Sequence, residues 1–315
     1  MKIVFLDAAT IGDDLTFTSF EELGEVLVYS TTSEQEFEAR ANCADVIVVN
    51  KLKLNAANLP KAKKLKLICL AATGFDNVDL DYCRKAGIGV CNVVGYSTQS
   101  VAQLTLAMAL SLYTHLGEYT DFVRSGQYTQ KGLANCLTPV YHEISGKTWG
   151  IVGYGNIGQQ VARVAEALGC RVLVFKRTPV ESAECVDFDT ICQKSDILSL
   201  HVPLNEKTRN LLDDAHIAIL KKDAVVINVA RGAVADEAAL ADAILQGKIG
   251  GLGVDVYSKE PFDAAHPFFQ IKHLPNVILT PHMAWGGYET RVRLLGEIKE
   301  NIISFCAGKS RCRVD

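Results

Sequence analysis

A strand, a glycine-rich turn, a helix and a second strand run without interruption from Trp149 to Arg177, WGIVGYGNIGQQVARVAEALGCRVLVFKR. No other stretch constrains the chain so tightly. Trp149 to Val152 is short and apolar, and Gly153, Gly155 and Gly158 then fall at G-x-G-x-x-G spacing. The next run puts Ile157, Val161, Val164, Ala165 and Leu168 on one helical face, Gly169 stops it, and Arg171 to Phe175 resumes a β-branched strand. Gly153 permits a sharp turn, Gly155 lets the backbone approach a pyrophosphate, and Gly158 lets the helix pack close to the sheet. An anion there meets unpaired N–H groups and the positive end of the helix dipole. Glycine-rich turns also occur in ordinary loops, but the flanking strand, helix and strand supply the context the motif requires. The stretch therefore predicts dinucleotide binding, with Tyr154, Asn156 and Ile157 joining the three glycines in the cradle.

The end of the second strand bears on which dinucleotide. Units that bind NAD usually place Asp or Glu there to hold the ribose 2′-hydroxyl. This chain has Lys176, Arg177 and Thr178 instead. Such a pair also fits a solvated surface, but the missing acid and a planar guanidinium suited to phosphate favour NADP(H) over NAD(H).

At 315 residues the chain is long for one core, so two domains are expected. With 49% hydrophobic and 22% charged residues it reads as a soluble globular enzyme, not a disordered chain. A net charge of -4 gives no nucleic-acid surface. The ten cysteines show no C-x-x-C and no Cys/His metal spacing, so no metal site is expected and a reducing cytoplasm suits them. MKIVFLDAAT reads as a first strand and lacks a signal peptide's apolar region. No run approaches the roughly eighteen apolar residues of a membrane span.

Strands are expected at Lys2 to Leu6, Val26 to Tyr29, Asp45 to Val49, Leu65 to Leu70 and Gly89 to Asn92, with helices near Phe20 and from Glu34 to Asn42. Strands alternating with helices predict a doubly wound α/β domain. It has no phosphate fingerprint of its own, so its expected task is to present substrate groups. Thr73 and Gly74 follow one of these strands, and their N–H groups are candidate anion donors. The same residues also fit a plain turn capped by Asn77 or Asp79. A helix capped by Ser97 or Thr98 is expected to run through about Val123, with a hinge at Gly95. Residues 126 to 145 read as irregular and polar, a candidate dimer arm.

After the dinucleotide motif, strands are expected at Asp196 to Pro203, ending in a polar loop, at Ala224 to Gly232, with Arg231 at its C-terminal end, at Gly250 to Val256 and at Asn276 to Thr280, and a last helix from Tyr288 to Cys306. Arg231, Glu260 and His282 fall just past three of these strand ends. Singly each has a structural explanation: a surface ion pair, a cap before Pro261, a satisfied turn histidine. Together, at the ligand edge of a dinucleotide domain, they form a candidate catalytic set. Reducing a 2-keto acid needs a cation to fix the carboxylate and polarise the carbonyl, and a proton donor that titrates near neutrality. A carboxylate beside the histidine would orient it and favour its charged form.

Gly153-x-Gly155-x-x-Gly158, His201-Val202-Pro203-Leu204, Asn228-Val229-Ala230-Arg231-Gly232, Asp255 to Pro261 and Thr280 to Trp285 resemble the D-isomer-specific 2-hydroxyacid dehydrogenases over nearly the whole chain. Ala72 to Asp79, Gly95 to Gln103 and Trp285 after His282 resemble their glycerate dehydrogenase, or hydroxypyruvate reductase, branch. The resemblance implies two doubly wound parallel-sheet domains: a Rossmann-like cofactor domain (98-285) and a discontinuous flavodoxin-like substrate domain (1-97 and 286-315). It also implies a cleft between them and a homodimer built on the cofactor domains.

It implies roles as well. His282 protonates the carbonyl oxygen, Glu260 holds and charges His282, and Arg231 binds the carboxylate and carbonyl. The Thr73 and Gly74 backbone, Lys51 and Trp285 join Arg231 and His282 on the substrate side. His201, Val202 and Pro203 line the nicotinamide side, Asp255 approaches the nicotinamide or ribose, and Thr208, Val229 and Ala230 complete the cofactor contacts. The Lys176-Arg177 pair departs from the Asp that many relatives carry. Glu260 stands where the similar formate dehydrogenases have Gln, which disfavours that activity. The expected reaction is reduction of hydroxypyruvate or glyoxylate to the D-2-hydroxy acid. Alternatives are a dinucleotide-sensing regulatory binding protein and a dehydrogenase of bulkier 2-keto acids.

Overall fold

The computed structural model describes residues 1–315. The chain forms two compact units, Met1–Ser97 with Gly286–Asp315, and Thr98–Trp285. Each is built on its own parallel sheet.

In the first unit, β1 (Lys2–Phe5), β2 (Glu25–Val28), β3 (Val46–Val49), β4 (Leu67–Leu70) and β5 (Gly89–Cys91) lie in the order β2-β1-β3-β4-β5. β3 and β4 are buried along their whole length, which is why VIVV and LICL show no polar alternation. α1 (Glu34–Ala41) starts from a Ser33–Glu36 capping box. α2 (Leu80–Ala86) starts from Asp79, which accepts the Tyr82 N–H at 2.9 Å. The strand order reverses between β1 and β3. There Asp7 accepts the N–H groups of Asn50, Lys51 and Leu52 and ties down the loop that follows β3.

The second unit starts with α3 (Thr98–Tyr113), α4 (Leu116–Arg124) and α5 (Gln127–Lys131). The single helix expected through Val123 is thus two, because His115 between α3 and α4 sits at φ 51, where a right-handed helix cannot continue. The segment expected to be irregular from 126 to 145 contains α5, bounded by Gly126 and Gly132 in left-handed conformations. Its exposed side chains include Leu133, Leu137, Val140 and Tyr141, so it is less polar than the sequence suggested.

β6 (Thr148–Val152), β7 (Arg171–Phe175), β8 (Ile197–Leu200), β9 (Val225–Asn228), β10 (Gly251–Val254) and β11 (Val277–Leu279) form a parallel sheet in the order β11-β10-β9-β8-β6-β7. Its strands send alternate residues to opposite faces. Trp149, Ile151, Val225 and Ile227 pack with Val161 and Ala165 of α6 (Asn156–Ala167) and with Met108 of α3. Val152, Leu198, Leu200 and Val226 pack on the other face with α7 (Phe188–Lys194), α8 (Asp214–Ala218) and α9 (Glu237–Leu245). Helices on both faces make each strand a near-continuous apolar run. α10 (Tyr288–Cys306) belongs to the first unit, against β4. The chain is therefore two doubly wound α/β units. No helix is long and apolar enough to cross a membrane.

Candidate active site

The glycine turn leaves β6 at Val152 and enters α6 at Asn156. A Cβ at Gly158 would sit 2.1 Å from the Gly153 carbonyl oxygen, so α6 rests directly on the turn and only glycine fits. A Cβ at Gly155, by contrast, would meet no heavy atom within 4 Å. Gly155 is the N-cap, and no side chain caps the first N–H groups of α6.

β6 and β8 are neighbours while β7 lies on the other side of β6, which makes their C-terminal ends the switch point where doubly wound sheets take ligands. His201 and Val202, just past β8, meet the turn there: a Cβ on Gly153 would lie 2.8 Å from the His201 carbonyl carbon and from Val202 Cγ1. His201 Nε2 is 2.9 Å from Ser199 Oγ, which also accepts the Trp149 indole N–H at 2.9 Å. His201 Nδ1 is buried without a hydrogen-bond partner, and burial pushes the imidazole down to about 3, so it stays neutral. Thr208 donates its hydroxyl to the Pro203 carbonyl at 2.6 Å and accepts the Asn205 N–H at 2.8 Å, closing the loop after β8. An open helix N-terminus and an orphaned imidazole nitrogen at the switch point fit a bound dinucleotide.

Lys176 is half-buried at the end of β7, and Arg177 and Thr178 are exposed. Glu184, which runs beside β7 through a Val174–Cys185 bridge, is held by Arg171 at the opposite end of the strand. It therefore supplies no carboxylate at the tip.

The catalytic candidates lie past the ends of β9, β10 and β11. The Asn228 side chain shapes the first loop: its amide donates to the Arg231 carbonyl and its oxygen accepts the Ala230 N–H, both at 3.0 Å. Val229 and Ala230 are buried, and half-buried Arg231 turns one guanidinium nitrogen back to the Ala230 carbonyl at 2.8 Å.

Glu260 and His282 come together, with Nδ1 2.7 Å from Oε2. The other Glu260 oxygen accepts the Tyr257 N–H at 3.0 Å. The side chains keep 22% and 31% exposure, His282 and Glu260 respectively, so the pair is ordered but reachable. His282 has φ 53, a left-handed conformation that costs a non-glycine residue about 1–2 kcal/mol and persists only where the surroundings fix it.

Asp255 supplies that constraint. It is fully buried, and its carboxylate accepts the Thr280 hydroxyl at 2.5 Å and the Met283 and Ala284 N–H groups at 2.8 Å. Burial raises its pKa, opposed by these three donors and by His282. The residue expected beside the nicotinamide or ribose thus spends both oxygens on the loop that carries His282. Trp285 packs against the apolar cluster beneath α3. Lys51, Thr73 and Gly74 belong to the first unit. The Lys51 N–H bonds Asp7 at 2.7 Å and its side chain is exposed, while the Thr73 hydroxyl is taken by the Val93 carbonyl at 2.7 Å. Asp255's clamping role, and Glu237, Ser258 and His266 behind Glu260, were not legible from the sequence, because their bonds join separate loops.

The family model for the D-isomer specific 2-hydroxyacid dehydrogenase, NAD binding domain, matches residues 106–284. A glycerate dehydrogenase of Methylorubrum extorquens is 37% identical over 310 residues, covering 98% of this chain and 97% of its own length. A hydroxypyruvate reductase of Blautia hydrogenotrophica is 33% identical over 317 residues, covering 98% of each chain. Among solved structures, an acyclic imino acid reductase in complex with NADPH and D-Arg superimposes with a TM-score of 0.86 at 30% identity over 100% of both chains. The chain belongs to the D-isomer specific 2-hydroxyacid dehydrogenase family and is an NAD(P)-dependent oxidoreductase of its glycerate dehydrogenase and hydroxypyruvate reductase branch.

Proposed function

We propose that this enzyme reduces a small 2-keto acid, hydroxypyruvate or glyoxylate, to the D-2-hydroxy acid, and runs in reverse as a D-glycerate dehydrogenase. The observation that carries this is the 2.7 Å contact between His282 Nδ1 and Glu260 Oε2 at the ligand edge of the second sheet. A reduced nicotinamide, when bound, supplies the hydride that C2 accepts. The residues do the rest. With Nδ1 held by Glu260, the His282 Nε2 proton is the one free to reach the carbonyl oxygen, and the carboxylate orients the ring that gives it up. Arg231 fixes the substrate carboxylate and polarises the carbonyl. In the first unit, Lys51 and the Thr73 and Gly74 N–H groups are assigned to carboxylate recognition, and Trp285 to the substrate side of the second unit.

The turn residues Gly153 to Gly158 take the pyrophosphate, and Asp255, His201, Val202, Pro203, Thr208, Val229 and Ala230 border the rest of the dinucleotide. NADP(H) is favoured over NAD(H) because Lys176 and Arg177 stand where a carboxylate would read the 2′-hydroxyl, and the solved relative with NADPH agrees in kind. A homodimer is supported by exposed Leu116, Val123, Leu133, Leu137, Val140 and Tyr141, which lie close in sequence along α4 and the segment after α5. The ten free cysteines suit a reducing cytoplasm.

Initial rates of NADPH and NADH oxidation with hydroxypyruvate, glyoxylate, pyruvate and phenylpyruvate test this. Fastest turnover with hydroxypyruvate or glyoxylate is expected. A preference for phenylpyruvate would assign a bulkier substrate, and no turnover with any of the four would contradict the catalytic reading.

A further inference from the structure

Behind the Glu260–His282 pair lies a second carboxylate–imidazole pair. Glu237, the first residue of α9, and His266 have side chains only 10% and 5% exposed, with Oε2 and Nε2 3.1 Å apart. A carboxylate this buried is costly unless every lone pair has a use. The helix N-terminus favours its charge. His266 Nδ1 accepts the Phe268 N–H at 3.2 Å, so the neutral ring carries its proton on Nε2, facing Glu237. The remaining capacity of Glu237 goes to one residue across 21 positions of chain: Oε1 accepts the Ser258 N–H at 2.9 Å, and Oε2 accepts the Ser258 hydroxyl.

Ser258 is joined by one peptide to Tyr257, whose own N–H holds Glu260 Oε1. That peptide is pressed onto Gly232, where a Cβ would sit 2.1 Å from Ser258 N and from the Tyr257 carbonyl carbon. The Tyr257 ring packs against Phe262, His266 and Phe268, and its hydroxyl donates to the Thr280 carbonyl at 2.8 Å, two residues before His282. Burial raises the phenol, and the charges of Asp255, Glu260 and Glu237 add to this, so it remains a donor.

We propose that Glu237, braced by His266, is a positioning residue for the proton-donor pair: through Ser258 it fixes the Tyr257–Ser258 peptide and with it Tyr257, whose own N–H aims Glu260 at His282. This rests on His282 being the proton donor. One Glu260 oxygen is fixed by Tyr257 so that the other faces Nδ1. A shift of this peptide moves the Tyr257 N–H, turns Glu260 and lengthens its contact with His282. The charged groups set against His282 are Glu260 and Asp255, and the group set against Glu237 is His266.

The test uses Glu237→Gln, Ser258→Ala, Ser258→Thr and His282→Ala in the full chain, with hydroxypyruvate and NADPH. Turnover, the alkaline limb of its pH profile, melting temperature and NADPH affinity by protein fluorescence are measured for each. Glu237→Gln and Ser258→Ala are expected to lower turnover about tenfold and move the limb to lower pH, with NADPH affinity within about twofold of the parent. Ser258→Thr keeps the hydroxyl and is expected to return the limb to the parent position. A lowered melting temperature with the limb and turnover of the parent would overturn the proposal, as would a loss of NADPH affinity matching the loss of turnover. Should Glu237→Gln fail to fold, the two Ser258 variants decide alone. If His282→Ala keeps parent turnover, the proton-donor assignment fails first and this inference with it. If His282→Ala is inactive while Ser258→Ala keeps the parent limb, only the positioning role fails.

Discussion

The Asp255 carboxylate accepts the Ala284 backbone N–H at 2.8 Å across 29 residues of chain, and its other oxygen takes Met283 and Thr280. Three donors on one buried carboxylate pin the loop in which His282 adopts its left-handed conformation. Asn at this position keeps one accepting oxygen and turns an NH2 group on the remaining backbone donors. Asp255→Asn is therefore expected to cost about 2 kcal/mol or more of stability and to lower turnover with it, because an unsatisfied buried donor is left behind. Thermal unfolding and initial rates check this, and a variant with parent stability would show that the clamp is dispensable.

The tip of β7 tests cofactor choice. Replacing Lys176 and Arg177 together by Ala removes the two cations assigned to the 2′-phosphate. A fall of about tenfold or more in kcat/KM for NADPH is expected, with NADH changed far less, as suits loss of charge-assisted hydrogen bonds. Equal effects on both cofactors would reduce the pair to surface charge.

Acid stability follows from His201. Burial holds its imidazole down to about 3, against about 6.5 in an unfolded chain. Between these values the unfolded chain binds a proton that the folded protein refuses. Stability is therefore full above about 6.5 and falls towards about 3, by about 1.4 kcal/mol per pH unit from this group. His201→Gln has nothing to titrate there, so its melting temperature should decline less steeply than the parent's as pH drops from about 6 to about 4. Parallel declines would mean that the imidazole is hydrated.

Much of this molecule was legible because its signals are local. Gly153, Gly155 and Gly158 fall within six residues, and VIVV and LICL declare buried strands by composition alone. Arg231, Glu260 and His282 stood out since each is a polar residue just past an apolar run. Other features depend on partners distant in sequence. Glu237 and Ser258 are ordinary helix-start and loop residues until the fold brings them together. Asp255 sits at a strand end where a ligand contact is the natural expectation, and only the folded 280–284 loop shows that its oxygens are taken. The break at His115 was hidden for another reason: a histidine carries no helix-stop signal, and its left-handed conformation is visible only in the backbone.

Turnover of hydroxypyruvate by His282→Ala, measured beside NADPH affinity in the same protein, bears most directly on catalysis by the Glu260–His282 pair. Turnover is expected to fall by about 10²–10⁴-fold, the usual contribution of a general acid, with NADPH binding within about twofold of the parent. Retained turnover, or a loss of NADPH affinity that accounts for the lost rate, would contradict the assignment of His282 as proton donor.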